Sequence, residues 1–211
     1  TGNAVLYLVN AETGELIKKI DMEAGNGRGE NRPNGLSTPA IADVDGDIVA
    51  DYAYAGDLYG NLWKIDLTGS SVEGWGSAFS NAGKPVPFFR AGVCNTSGSF
   101  GVNAACPSSI SGKPQPVTTR PSIGRHSSGQ GVMVYFGTGQ FLTTGDRASS
   151  DNSVQGFYGL WDRGQRVSRS GLVQQRIVTE VSVEGEGFRV ITNEPVEYEK
   201  SEKQEKQYFY M

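Results

Sequence analysis

Ile41-Ala42-Asp43-Val44-Asp45-Gly46-Asp47-Ile48-Val49-Ala50-Asp51 places carboxylates at positions 1, 3, 5 and 9 of a nine-residue loop, with no Lys or Arg among them. Like charges at about 4 Å repel by roughly 1 kcal/mol per pair even in water, a cost that a cation removes. Hard oxygen ligands in D-x-D-x-D order suit Ca²⁺, because a tight loop gathers alternate side chains and a backbone carbonyl around a large ion of flexible geometry. The expected ligands are the side chains of Asp43, Asp45, Asp47 and Asp51 and the carbonyl of Val49. An acidic solvated turn is the plain alternative. The loop is not a helix–loop–helix site, since Ile48 stands where that pattern needs Gly and Tyr54 where it needs a bidentate Glu. Beyond Asp51, the run Tyr52-Ala53-Tyr54-Ala55-Gly56-Asp57 alternates and ends on Gly-Asp, so the loop feeds a β-strand.

Working outward, the chain repeats itself. Leu6-Tyr7-Leu8-Val9-Asn10 and Leu62-Trp63-Lys64-Ile65-Asp66 share one pattern, each followed by Thr-Gly. Ser37-Thr38-Pro39-Ala40-Ile41-Ala42 is echoed by Thr119-Arg120-Pro121-Ser122-Ile123-Gly124, and each leads to a Tyr and a Gly, Tyr54 and Gly56 or Tyr135 and Gly137. Such self-similarity marks repeated β units, with a β-propeller as the favoured architecture. Composition agrees: 29 glycines in 211 residues and 10% aromatics, without long amphipathic helical runs, describe short strands joined by Gly-rich turns. The expected fold is therefore all-β, a propeller segment of two to three blades over residues 1–193. The stretch from about 70 to 116 reads as a long irregular insertion, and 194–211 as a charged tail or the start of a further insertion.

Cys94 and Cys106 are the only cysteines, with no CxxC and no neighbouring His, so a disulfide closing the insertion is the simpler reading and two free buried thiols the alternative. A disulfide implies an oxidising compartment. A net charge of −4 and a pI near 5.1 give no footprint for nucleic acid or an anionic membrane. There is no run apolar enough for membrane insertion, and the opening at Thr1-Gly2-Asn3 without a signal peptide reads as a mature fragment.

No catalytic constellation emerges, and the chain is not expected to be an enzyme. His126 is the only histidine and sits in the polar run Arg125-His126-Ser127-Ser128, which reads as an exposed loop. Trp63, Trp75 and Trp161 are candidates to stack a sugar or quinone, although aromatics on alternating strands are more often core. Gly137-Thr138-Gly139 is followed by neither a helix nor Lys-Ser/Thr, so it is no phosphate loop.

The blocks from Leu36 to Asp47, Tyr54 to Leu67, Tyr135 to Leu142 and Phe157 to Asp162 together resemble the C-terminal propeller domain of the PilY/PilC family, large secreted tip-associated proteins of bacterial type IV pili. The match spans most of residues 36 to 162 and thins after Trp161. The resemblance implies a modified β-propeller, a calcium loop at Asp43 to Asp51, and roles in pilus assembly, twitching motility and adhesion, with calcium opposing retraction. Its implied partners are major or minor pilins and a host-surface receptor, and its implied location is secreted or cell-surface, through the periplasm and outer membrane. Two other readings use the same residues: an integrin-like calcium-loop propeller binding a protein or glycan, and a quinoprotein-like dehydrogenase fragment.

Overall fold

The computed structural model of the chain describes residues 2–25, 33–92, 115–147, 155–196 and 208–210. Among them there are β-strands and three short 3₁₀ turns but no α-helix. The two repeats found in the sequence become equivalent parts of two sheets. In the first sheet, β3 (Ala40–Ala42), β4 (Tyr52–Gly56) and β5 (Asn61–Asp66) run antiparallel, and β5 continues to β6 (Gly76–Ser77) and to β9 (Phe89–Arg90). In the second, β10 (Ser122–Arg125), β11 (Val132–Gly137) and β12 (Phe157–Asp162) do the same. The registers correspond: the residue after each Pro faces the repeat tyrosine, Ala40 opposite Tyr54 and Ser122 opposite Tyr135.

The other repeat also has a structural cause. Asn10 at the end of β1 (Val5–Val9) accepts the backbone N–H groups of Glu12 and Thr13, turning the chain into β2 (Leu16–Asp21). Asp66 at the end of β5 accepts the N–H and hydroxyl of Thr68. These are Asx-type turns, in which a short polar side chain satisfies backbone donors that the strand has left behind.

The β4–β5 hairpin is buried on both faces, and this places it inside a stack of blades. On one face Ala53, Trp63 and Ile65 pack with Ala4, Ile20 and Met22 of the β1–β2 region. On the other, Tyr54 and Leu62 join Val132, Val134, Phe136, Tyr158, Leu160 and Leu172 of the second sheet. A sheet exposed on one side would show a buried–exposed alternation, whereas β5 reads buried from Asn61 to Ile65. Between β4 and β5, Asp57 is fully buried and has no cationic partner among the described residues. Its Oδ1 accepts the N–H groups of Tyr59 and Asn61, and its Oδ2 the side-chain N–H groups of Asn34, Asn61 and Trp63. Five donors replace water around this carboxylate. The turn it organises needs Gly60, whose φ is +77°.

The described parts of two segments add to the sequence-based expectation. The described beginning of the 70–116 stretch is not an irregular excursion: β6, β7 (Ser80–Asn81), β8 (Lys84–Pro85) and β9 follow one another, and Phe88 and Phe89 are in the core. Burying each such ring contributes on the order of 2–3 kcal/mol, which outweighs the poor strand propensity of the Gly, Ser and Asn around it. Cys94 and Cys106 lie outside the described residues. At the other end, β16 (Tyr208–Tyr210) pairs between β12 and β13 (Leu172–Gln174), antiparallel to the first and parallel to the second. The hairpin of β14 (Ile177–Val183) and β15 (Glu186–Ile191) is exposed along both strands.

Candidate metal site

The acidic loop joins β3 to β4, and its two ends are tied by the first sheet: the Asp51 N–H donates to the Ala42 carbonyl at 2.9 Å. Within it, carboxylates hold the backbone. Asp43 Oδ1 accepts the Gly46 N–H at 2.6 Å and Oδ2 the Ile48 N–H at 3.0 Å. Asp45 accepts the Asp47 N–H, Asp47 accepts the Val49 N–H, and Asp51 Oδ2 accepts the Val44 N–H at 2.6 Å. Gly46 has φ +86°, and Ile48 has φ +72° with its side chain 94% exposed. Ile48 is thus the non-glycine residue at which this loop enters the left-handed region, with no packing to offset the strain on a β-branched side chain.

Asp43, Asp45 and Asp51 each present a carboxylate oxygen within 4.8 Å of the others. Oxygens gathered this closely can share one hard divalent cation. None of the loop aspartates is paired with a Lys or Arg side chain among the described residues. An all-oxygen, uncompensated, backbone-ordered set fits a hard divalent cation. Of the five expected ligands, the structure brings together Asp43, Asp45 and Asp51; Asp47 lies outside that convergent group, its Oδ1 engaged with the Val49 N–H at 2.8 Å.

Asp51 leads directly into a polar network that the sequence did not reveal. The next residue, Tyr52, lies under the Lys64 ammonium, 3.7 Å from the ring centroid. Lys64 pairs with Asp162 of the second sheet at 2.7 Å, and both side chains are buried, 6% and 2% exposed. The Tyr54 hydroxyl donates to the same Asp162 oxygen at 2.5 Å. Burial, followed by the charge of Asp162, pushes the Tyr54 phenol far above its ordinary range, and burial with the charges of Asp66, Asp162 and Asp51 raises Tyr52. The Tyr54 phenol is thereby held as a neutral donor to Asp162.

The other candidates resolve differently. His126 is not an exposed loop residue: it is 5% exposed and stacked on Trp161, ring centroids 3.7 Å apart at 13°. Its run of polar neighbours misled because Ser128 turns inward to bond the His126 Nδ1 at 2.7 Å. Trp63 and Trp161 are core, and Trp75 is half-buried with its indole N–H on the Gly69 carbonyl.

Residues 1–182 match the family model of the PilY1 β-propeller domain. A type IV pilus biogenesis factor PilY1 homolog of Xylella fastidiosa is 34% identical over 205 residues, 93% of this chain and 13% of that protein. A type IV pilus biogenesis factor PilY1 of Pseudomonas aeruginosa is 36% identical over 183 residues, 82% of this chain and 15% of its own length. The crystal structure of the Pseudomonas aeruginosa PilY1 C-terminal domain superposes with a TM-score of 0.71 at 28% identity, covering 99% of this chain and 44% of that one. The chain therefore spans a small part of the curated relatives it matches.

Proposed function

The chain belongs to the PilY1 β-propeller family, and from that premise we propose that it is the calcium-binding propeller region of a type IV pilus biogenesis factor on the pilus or cell surface. Its role there is to make pilus extension versus retraction, and with it twitching and surface adhesion, depend on calcium. The observation that supports the ion is the convergence of Asp43, Asp45 and Asp51 on a loop with no cation of its own. Bound calcium would supply the positive charge that these carboxylates lack.

The protein's own residues then do the rest. With their charges compensated, Asp43, Asp45 and Asp51 would hold the loop closed on the edge of the first sheet; Asp47 would have to turn away from the Val49 N–H to join them. Without compensation, the same carboxylates repel and the β3–β4 connection loosens. For this to act as a switch, calcium must favour one loop state over the other. The surface that changes is the one offered to pilus components, major or minor pilins, and through the pilus tip to a host receptor.

Isothermal titration of the chain with Ca²⁺ and with Mg²⁺ tests the site. A single calcium-selective heat is expected, and Asp51→Asn should remove it because it deletes the ligand that closes the loop. Equal heats from wild type and variant would sink the assignment. The regulatory step is tested separately, with Asp51→Ala in the full-length protein in cells: reduced piliation and twitching are expected, and wild-type behaviour would leave the loop a structural staple.

A further inference from the structure

Beside the acidic loop, between the two sheets, lies a cleft of about 260 Å³ that the calcium reading does not use. Val44 and Val132 form apolar walls, the Lys64–Asp162 pair with Tyr52 and Tyr54 forms the floor, and Arg163 and Gln130 stand at the rim. The geometry points to a binding pocket for a carboxylate, specifically an Asp or Glu side chain presented by a protein partner.

Charge decides the sign of the ligand. Asp162 is the one acidic group lining the cleft, and its oxygens are already taken: Oδ1 by the Gly164 N–H at 2.7 Å, Oδ2 by Lys64 and Tyr54. Among the residues lining the cleft, Lys64 and Arg163 against Asp162 leave one positive charge, while the carboxylates of the adjoining loop, next to Val44 and Tyr52, are the negative charge that bound calcium would reduce. A cationic ligand would meet two like charges and a carboxylate whose oxygens are already engaged.

Arg163 decides the chemistry. Its guanidinium lies 4.5 Å from the Trp161 ring centroid and has no hydrogen-bond or ion-pair partner among the described residues. Trp161 is itself fixed, 3% exposed, its indole N–H on the Gln130 carbonyl at 2.8 Å. A guanidinium resting on an aromatic face keeps its N–H edge open and pre-oriented, which is the arrangement that grips a carboxylate with two parallel hydrogen bonds. The Gln130 side-chain amide at the same rim adds an unengaged donor. Size decides between a free metabolite and a side chain: small-molecule pockets run from about 300 to 1,000 Å³ and bury most of their ligand. This cleft is below that range and open to solvent along its rim.

The pocket stands apart from the metal reading, because the deciding comparison changes only Arg163. Nitrogen-labelled chain, with calcium in excess so that the neighbouring loop keeps one state, is titrated with N-acetylglutamate N-methylamide. The signals monitored are the Trp161 indole and the Gly131 and Gly164 amides. Saturable shifts are expected, at least tenfold weaker for Arg163→Gln and for the neutral probe N-acetylglutamine N-methylamide. Retention of the other amide signals shows that the variant is folded. Absence of saturation, equal binding of the glutamine probe, or unchanged affinity in Arg163→Gln overturns the pocket. Tighter binding of N-acetylglycine, which carries only a terminal carboxylate, overturns the assignment to an acidic side chain.

Discussion

The Tyr54 hydroxyl and the Asp162 carboxylate meet at 2.5 Å although 108 residues separate them, and Lys64 pairs with the same oxygen. This contact is the polar seam between the first and second sheets, set in an otherwise apolar interface. Removing one member of a buried ion pair leaves the other charged and desolvated, which costs about 3–5 kcal/mol. Lys64→Met should therefore destabilise the chain by that amount in urea unfolding, and Asp162→Asn by a similar amount. The double variant should recover much of the loss. Simple additivity of the two single losses would show that the pair is not coupled.

Asp57 offers a second test of the same physics without any cation. Five N–H donors converge on its two oxygens. Asp57→Asn replaces an acceptor by an NH₂ group that must face donors, leaving at least one buried group unsatisfied at about 1–3 kcal/mol, more because the lost acceptor was charged. We expect a fall in stability of roughly 3 kcal/mol, with Trp63→Phe costing less because it removes one donor of five. Equal stability of Asp57→Asn and wild type would refute the ring of donors.

The strands were legible where the repeat was. Pro39 to Gly56 and Pro121 to Gly137 read as equivalent in the sequence, and the register places Ala40 against Tyr54 as it places Ser122 against Tyr135. The acidic loop was legible for the same reason, as its ligand types lie within nine residues. Long-range pairings escaped: nothing local to Lys64 says that Asp162 will neutralise it. Asp57 did leave a signal, a lone acid between Gly56 and Gly60 with Asn61 and Trp63 just beyond, but its donors were readable only once the turn had brought Asn34 in. Phe88 and Phe89 were lost among Gly, Ser and Pro because two residues carry no periodicity.

Acid should weaken the fold in two separable steps. Burial, then the charge of Arg163, lowers the His126 pKa below its ordinary 6.5. A histidine held neutral contributes stability above its unfolded pKa and loses it as pH falls through the lowered folded value. Stability should thus decline below about pH 6.5, and Arg163→Gln should move the His126 titration back upward. Asp146 lies lower: bonds from Gln140, Leu142 and Thr143 hold its pKa at about 2, against an ordinary 3.8. Its contribution is present above the ordinary value and disappears between there and about 2, loosening the turn at residues 140–147. Carbon-detected titration of the two side chains checks both, and ordinary values at either would refute the corresponding step.

Ile48 supplies the last prediction because it separates the cost of shaping the acidic loop from the ligands themselves. Its φ of +72° is one that L residues avoid, by about 1–2 kcal/mol, and with the side chain 94% exposed nothing is regained by packing. Glycine adopts that conformation freely, although it also enlarges the unfolded ensemble by roughly 0.5–1 kcal/mol of entropy. The net gain for Ile48→Gly is therefore about 0.5–1 kcal/mol. If the loop is ordered only with the ion bound, this gain appears as affinity, roughly twofold to fivefold tighter calcium with little change in the stability of the ion-free chain. If the loop holds its shape without the ion, the same substitution raises the unfolding midpoint of the ion-free chain and leaves calcium affinity unchanged. Calorimetric titration and thermal unfolding of the one variant distinguish the two. A switch requires the first result; the second makes the loop a preformed socket and removes the mechanical basis for calcium control. Weaker calcium binding in Ile48→Gly would overturn the strain argument itself.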